Sequence, residues 1–158
     1  MSRSAHYQAA LAAQLLLLFY FEVCVLIPLG RWNDQPGMAA FSSGNILMGA
    51  AIGIAQGLLL VGTIWRVKAL LWLGLVGDSI WLLLHIQSLW VPYIAGASPA
   101  YAQMYARVFS RTTKILPNFG AHLAPDAMHA FIDLFLVAVI VTLCLYLRSL
   151  RPANIPKG

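Results

Sequence analysis

Residues 69–91 read ALLWLGLVGDSIWLLLHIQSLWV, an apolar run broken by one acid, Asp78, and one histidine, His85. A helix needs about 20 apolar residues to cross the hydrocarbon core of a bilayer, so this stretch is long enough to span one. Three further stretches of the same character lie at 9–29, 42–65 and 127–147. Composition agrees with them. Of the 158 residues, 61% are hydrophobic and 9% charged, whereas soluble domains carry about 45–50% apolar and about 25% charged residues. That balance excludes a water-soluble globular domain, and it excludes disorder, whose signature is low hydrophobicity with high charge. The expected fold is an all-α integral membrane protein, one transmembrane domain over 1–158 built as a four-helix bundle.

The first stretch does not read as a cleavable signal peptide. Glu22 lies inside its apolar run, no small-x-small cleavage pattern follows, and Pro28-Leu29-Gly30 reads as a helix end. Trp32, Trp65, Trp72, Trp90, Tyr93 and Tyr146 fall at the ends of the stretches, as an interfacial aromatic belt requires, whereas Trp81 sits mid-span.

The formal charge of +5 is read as basic loops against lipid headgroups, and nucleic acid is not an expected partner. Arg3, Arg66, Lys68, Arg148, Arg151 and Lys157 lie on the side of the termini, against Arg31, Arg107, Arg111 and Lys114 on the other. This bias places both termini in the cytoplasm. Cys24 and Cys144 fall in opposite leaflets, too far apart to be joined by a disulfide.

The connections differ. Residues 31–37 are rich in turn formers, and Arg66-Val67-Lys68 is a tight helical hairpin. The connection over 92–126 contains an element of its own. Ser98-Pro99 supplies an N-cap and a first-turn proline. After it, Tyr101, Tyr105, Val108, Thr112 and Ile115 share one helical face, and Gln103, Arg107, Ser110, Arg111 and Lys114 the opposite one. The pattern predicts an amphipathic helix over 99–115, lying in the headgroup layer or, alternatively, closing a cavity as a lid.

The acids are placed unusually. Glu22, Asp78 and Asp133 lie within spans, and Asp126 stands at the entrance of the fourth. An acid at mid-bilayer costs about 2.5–3.5 kcal/mol on insertion scales, so such residues face the bundle and have partners. Helical spacing puts Gln14, Leu18 and Glu22 on one stripe, Asp78, Trp81, His85 and Ser88 on a second, and Asp126, His129 and Asp133 on a third. At 1.5 Å per residue, Glu22, His85, Asp133 and the shallower His129 fall in one layer near the first and third loops. Asn45 lies close above this layer and Asp78 about 10 Å deeper than His85. Gly49, Gly53 and Gly57 form a small-residue stripe on the second span, read as close helix packing within the bundle, in a homo-oligomer or against a partner helix.

A carboxylate beside a histidine in low dielectric shares a proton. The favoured function is therefore binding or translocation of a small molecule, ion or proton through a carboxylate/histidine pocket. Glu22, Asp78, His85, His129, Asp133 and Asn45 are the candidate residues. An alternative is a membrane-embedded enzyme acting on a lipid or quinone, with His85, His129, Asp133 and Glu22 as ligands of a metal, or the two histidines as ligands of a haem. A third is a non-catalytic accessory subunit whose polar residues join helices. No motif names a cofactor: GxSxG, P-loop, GxGxxG and HExxH patterns are all missing from the sequence.

Overall fold

The computed structural model describes residues 3–35 and 43–150. The Pro36-Gly37 turn and the basic Arg151 and Lys157 lie outside them. The long helices are α1 (Arg3–Leu26), α2 (Ser43–Trp65), α3 (Lys68–His85) and α6 (Ala127–Ser149). A π-helical stretch, Ile86–Trp90, continues α3 into α4 (Val91–Ala95), and α5 (Pro99–Phe109) follows. Four helices are long and apolar enough to cross a membrane, the third running from Lys68 to Ala95. The spans thus stand where the hydropathy puts them. The first starts earlier than expected and stops at Leu26, because Asn33 Nδ2 donates to the carbonyls of Cys24 (2.6 Å) and Ile27 (2.7 Å) and closes the helix end.

The helices form a square in which α1 and α3 each pack against both α2 and α6. Leu17, Leu59, Leu71, Leu136, Val139 and Leu143 fill its centre, while Leu15, Phe19, Leu47, Ile54, Leu73, Leu83 and Leu134 are exposed on the outer faces. An apolar exterior is what a bilayer solvates. Two glycines let α2 and α3 approach. A Cβ at Gly62 would meet Leu70 Cβ at 2.6 Å, and one at Gly74 would meet Leu59 Cδ1 at 2.4 Å. The close approach of α2 and α3 therefore falls to Gly62 and Gly74. Gly57 has nothing within 4 Å of an added Cβ. Tyr146, near the end of α6, is buried, and its hydroxyl donates to the Thr63 carbonyl.

At the α2–α3 hairpin, Arg66 adopts φ +58°, the left-handed conformation that closes a helix, and Val67 N–H bonds the Gly62 carbonyl at 2.9 Å. Glycine takes this conformation without a Cβ penalty. Arg66→Gly is therefore expected to raise stability by about 0.5–1 kcal/mol, read as a higher Tm in mild detergent.

The connection between α4 and α6 departs from expectation. The amphipathic helix ends at Phe109 and does not continue through Ile115. Beyond it the chain becomes a strap fixed by long-range hydrogen bonds: Thr113 N–H reaches the Arg31 carbonyl (2.7 Å), and Ala127 N–H reaches the Thr113 carbonyl (2.8 Å). Lys114 Nζ caps the carbonyl of Phe109 (2.5 Å) and lies 4.8 Å from the centroid of the Tyr105 ring. The apolar face of α5 is turned inward, where Tyr105, Phe109 and Leu89 form a small core with Trp90 and Leu123 around it. Gln103, Met104 and Arg107 on the other face are exposed.

Candidate functional site

At the strap end of the bundle, the four long helices enclose a cavity of about 390 Å³. It is layered. The deepest lining residues are Phe21, Ile52, Trp81 and Ile132, one from each helix, so the floor is apolar. Above them stand Cys24, Met48, His85, Met128 and His129; Asn33, Asp34, Gln35, Asn45 and Arg111 line the mouth. Arg111 pairs with Asp34 at 3.3 Å, and both are substantially exposed, so the pair contributes little stability. Gln35 is 6% exposed, and its Nε2 is buried without a hydrogen-bond partner among the described residues.

Two histidine–aspartate pairs flank this space, and they differ in freedom. His85 Nδ1 lies 2.6 Å from Asp133 Oδ1, and Trp81 Nε1 donates to His85 Nε2 at 2.9 Å. Trp90 Nε1 donates to the second oxygen of Asp133 at 2.7 Å. Because Trp81 brings a proton to Nε2, His85 must carry its own proton on Nδ1 and donate it to Asp133. Both ring nitrogens of His85 are thus committed.

The π-helical stretch makes this convergence possible. On an α-helix, residues five apart point about 140° apart. The i→i+5 turns of Ile86–Trp90 bring Trp90 back toward the face of His85, so both reach Asp133. Pro92 follows immediately and has no N–H to offer the Ser88 carbonyl; the Tyr101 hydroxyl of α5 donates to that carbonyl instead.

His129 is the freer of the two. Its Nδ1 lies 2.7 Å from Asp126 Oδ2, its own N–H is capped by Asp126 Oδ1 at 3.2 Å, and among the described residues none hydrogen-bonds its Nε2. The two imidazole rings stand 5.4 Å apart, edge to face. Asp126 is fully buried at the N-cap of α6. Burial alone would push its carboxyl up, but the side-chain hydrogen bond and charge of His129, its backbone N–H and the Lys114 ammonium together hold it below the ordinary carboxylate value. For Lys114, burial lowers the ammonium and the Asp126 charge offsets part of that.

The remaining expected residues are dispersed. Asn45 lines the cavity mouth. Glu22 shares the depth of His85 but turns toward α2, where Gly49 and Gly53 leave room for its carboxylate. An added Cβ would lie 3.1 Å from Oε2 at Gly49 and 2.9 Å from Oε1 at Gly53. The glycine stripe thus houses an acid, and Glu22 Oε1 is buried there without a partner. Asp78 lies deeper, accepting from Gln56 Nε2 at 2.7 Å. Gln14 and Thr63 pair on the hairpin side at 2.9 Å. Both cysteines are free. Among the described residues, no three His, Cys, Asp or Glu side chains are grouped so that they could hold a metal ion.

Trp81, Trp90, Gln35 and Arg111 were not expected as site residues. A mid-span tryptophan was the available signal for Trp81, since an indole N–H in a bilayer needs an acceptor. The geometry defines a helical-bundle protein with a layered cavity at one end. Family models, curated proteins and solved structures were all compared with the chain, and none matches it.

Proposed function

We propose that the protein is a four-span membrane protein that binds a small amphipathic molecule in the strap-end cavity and exchanges a proton with its polar end through His129. The observation that carries this reading is the layering of the cavity: an apolar floor drawn from all four helices beneath an Asp126-backed imidazole whose Nε2 has no partner among the described residues. An apolar floor favours the tail of an amphipathic ligand and opposes a continuous aqueous path. We further place both termini in the cytoplasm on the basic-residue bias, so that the cavity faces the outer leaflet. The exposed polar face of α5 is read as lying at the headgroup layer.

The test uses three probes on the purified full chain in mild detergent: a short-chain quinone, a medium-chain fatty acid and a lipophilic amine. One class is expected to raise Tm in the wild type. Ile132→Trp fills the floor and should abolish the shift. His129→Ala should weaken binding about tenfold, the loss of one good hydrogen bond. Absence of a shift with all three probes would overturn the proposal.

A second reading is favoured by the His129–Asp126 pair itself. A carboxylate fixing Nδ1 while Nε2 faces a pocket is the arrangement of a general base. On that reading the protein is a membrane-embedded enzyme acting on a lipid- or quinone-sized substrate. Turnover lost in His129→Ala with binding retained would separate it from the first.

A further inference from the structure

Beneath the cavity floor lies a second polar pair that the proposed binding does not use. Gln56 stands one turn below Ile52 on α2, and Asp78 one turn below Trp81 on α3, so the pair sits under two of the four floor residues. Both are almost fully buried, Asp78 at 3% and Gln56 at 4% exposed. Gln56 Nε2 donates to Asp78 Oδ1 at 2.7 Å. The other two oxygens, Asp78 Oδ2 and Gln56 Oε1, are buried with no partner. As an ionised carboxylate and an amide, these two are acceptors only, and neither can satisfy the other. An unpaired buried polar atom keeps its full desolvation cost, so leaving both unmade is unfavourable in a membrane interior.

A single proton resolves both vacancies. A carboxylic acid and a primary amide are complementary: the amide N–H donates to the carboxyl C=O, and the carboxyl O–H donates to the amide C=O. We infer that Asp78 and Gln56 form a proton-loaded acid–amide pair, with one exchangeable proton on Asp78 Oδ2 directed at Gln56 Oε1. A metal cation fits less well, since hard cations take about six to eight oxygen ligands and only two oxygens are open here. Among the described residues, Gln56 is the hydrogen-bond partner of the Asp78 side chain. Glu22 on α1, across Gly53, and His85, two turns along α3, are the next ionisable groups by position. The inference goes beyond the cavity reading, since the proton is held below the apolar floor on groups that do not line the cavity.

The test is infrared spectroscopy of the purified full chain at neutral pH, in H₂O and in D₂O, with no ligand added. A protonated-carboxyl C=O stretch is expected, shifting down in D₂O, lost in Asp78→Asn and shifted up in Gln56→Leu, where the Nε2–H that donates to this C=O is gone. The amide that Asp78→Asn introduces reproduces both hydrogen bonds, so its Tm should stay within a few degrees of wild type. No protonated-carboxyl band in the wild type, or a band that survives Asp78→Asn, would overturn the inference and mean an ionised Asp78 bridged by water. A large loss of stability in Asp78→Asn would overturn it as well. Failure of the cavity reading is distinct: the three probes would leave Tm unmoved while the band remained.

Discussion

Asp133→Asn is expected to destabilise the protein by about 2–4 kcal/mol, nearly as much as Asp133→Ala, because the position needs an acceptor on both sides. His85 Nδ1–H reaches one oxygen and Trp90 Nε1–H the other. An amide keeps one oxygen and turns an N–H₂ toward whichever donor remains. If the amide nitrogen faces Trp90, two N–H groups oppose each other. If it faces His85, the imidazole can accept on Nδ1 only by moving its proton to Nε2, where Trp81 Nε1–H already points. The proton order through Trp81, His85, Asp133 and Trp90 therefore has one solution, and it ends on a carboxylate. Thermal unfolding in mild detergent checks this, with the retention of α-helical circular dichroism at low temperature as a control for folding. Equal stability of the wild type and Asp133→Asn would show that this hydrogen-bond order is wrong. The contrast with Asp78→Asn is the sharper comparison. The same chemical change should be nearly silent where the partner is an amide and severe where both partners are donors.

The common depth of His85 and Asp133, and the common helical face of Asp126 and His129, were legible in the spacing; which side chains meet around the bundle axis was not. Helical rise sets depth, antiparallel order sets which ends meet, and an i, i+3 step puts Asp126 and His129 on one face. Glu22 shows where that reasoning stops. It shares the depth of His85, but rotation of α1 about its axis aims it at Gly49 and Gly53, and that rotation depends on the neighbours of α1 and not on its own period. The glycine stripe was visible as a packing face, but not that Gly49 and Gly53 would receive the Glu22 carboxylate of α1, nor that Gly62 and Gly74 would carry the approach of α2 to α3. The π-helical stretch has no compositional mark beyond the nearby Pro92. The early end of α5 has a tertiary cause. The amphipathic pattern runs on to Ile115, but the hydrogen bond from Thr113 to Arg31 and the capping of Phe109 by Lys114 hold the chain in another conformation.

Asp126→Ala is expected to cost about 2–4 kcal/mol and to change how stability depends on acid. The side chain makes two distinct contributions from a fully buried position. It caps the first turn of α6 through the His129 N–H, worth about 1 kcal/mol, and it fixes the His129 ring through Nδ1. Removing it also leaves Lys114 with less to offset its burial, so a second group is stranded by the first. The pH dependence has a definite sign. The folded-state value of Asp126 is depressed below its ordinary value of about 3.9, so its contribution is complete above that value and fades as pH falls through the lower, folded one. Wild-type Tm should therefore hold as pH falls from 7 to about 4 as far as this residue is concerned, then drop. In Asp126→Ala the starting Tm is lower, and the part of the acid drop that belongs to this carboxyl is missing, so the two curves should draw together as pH falls through the folded-state value. Parallel curves over the whole range would mean that Asp126 acts as a neutral cap only. In that case the carboxylate would not be what orients His129 toward the cavity.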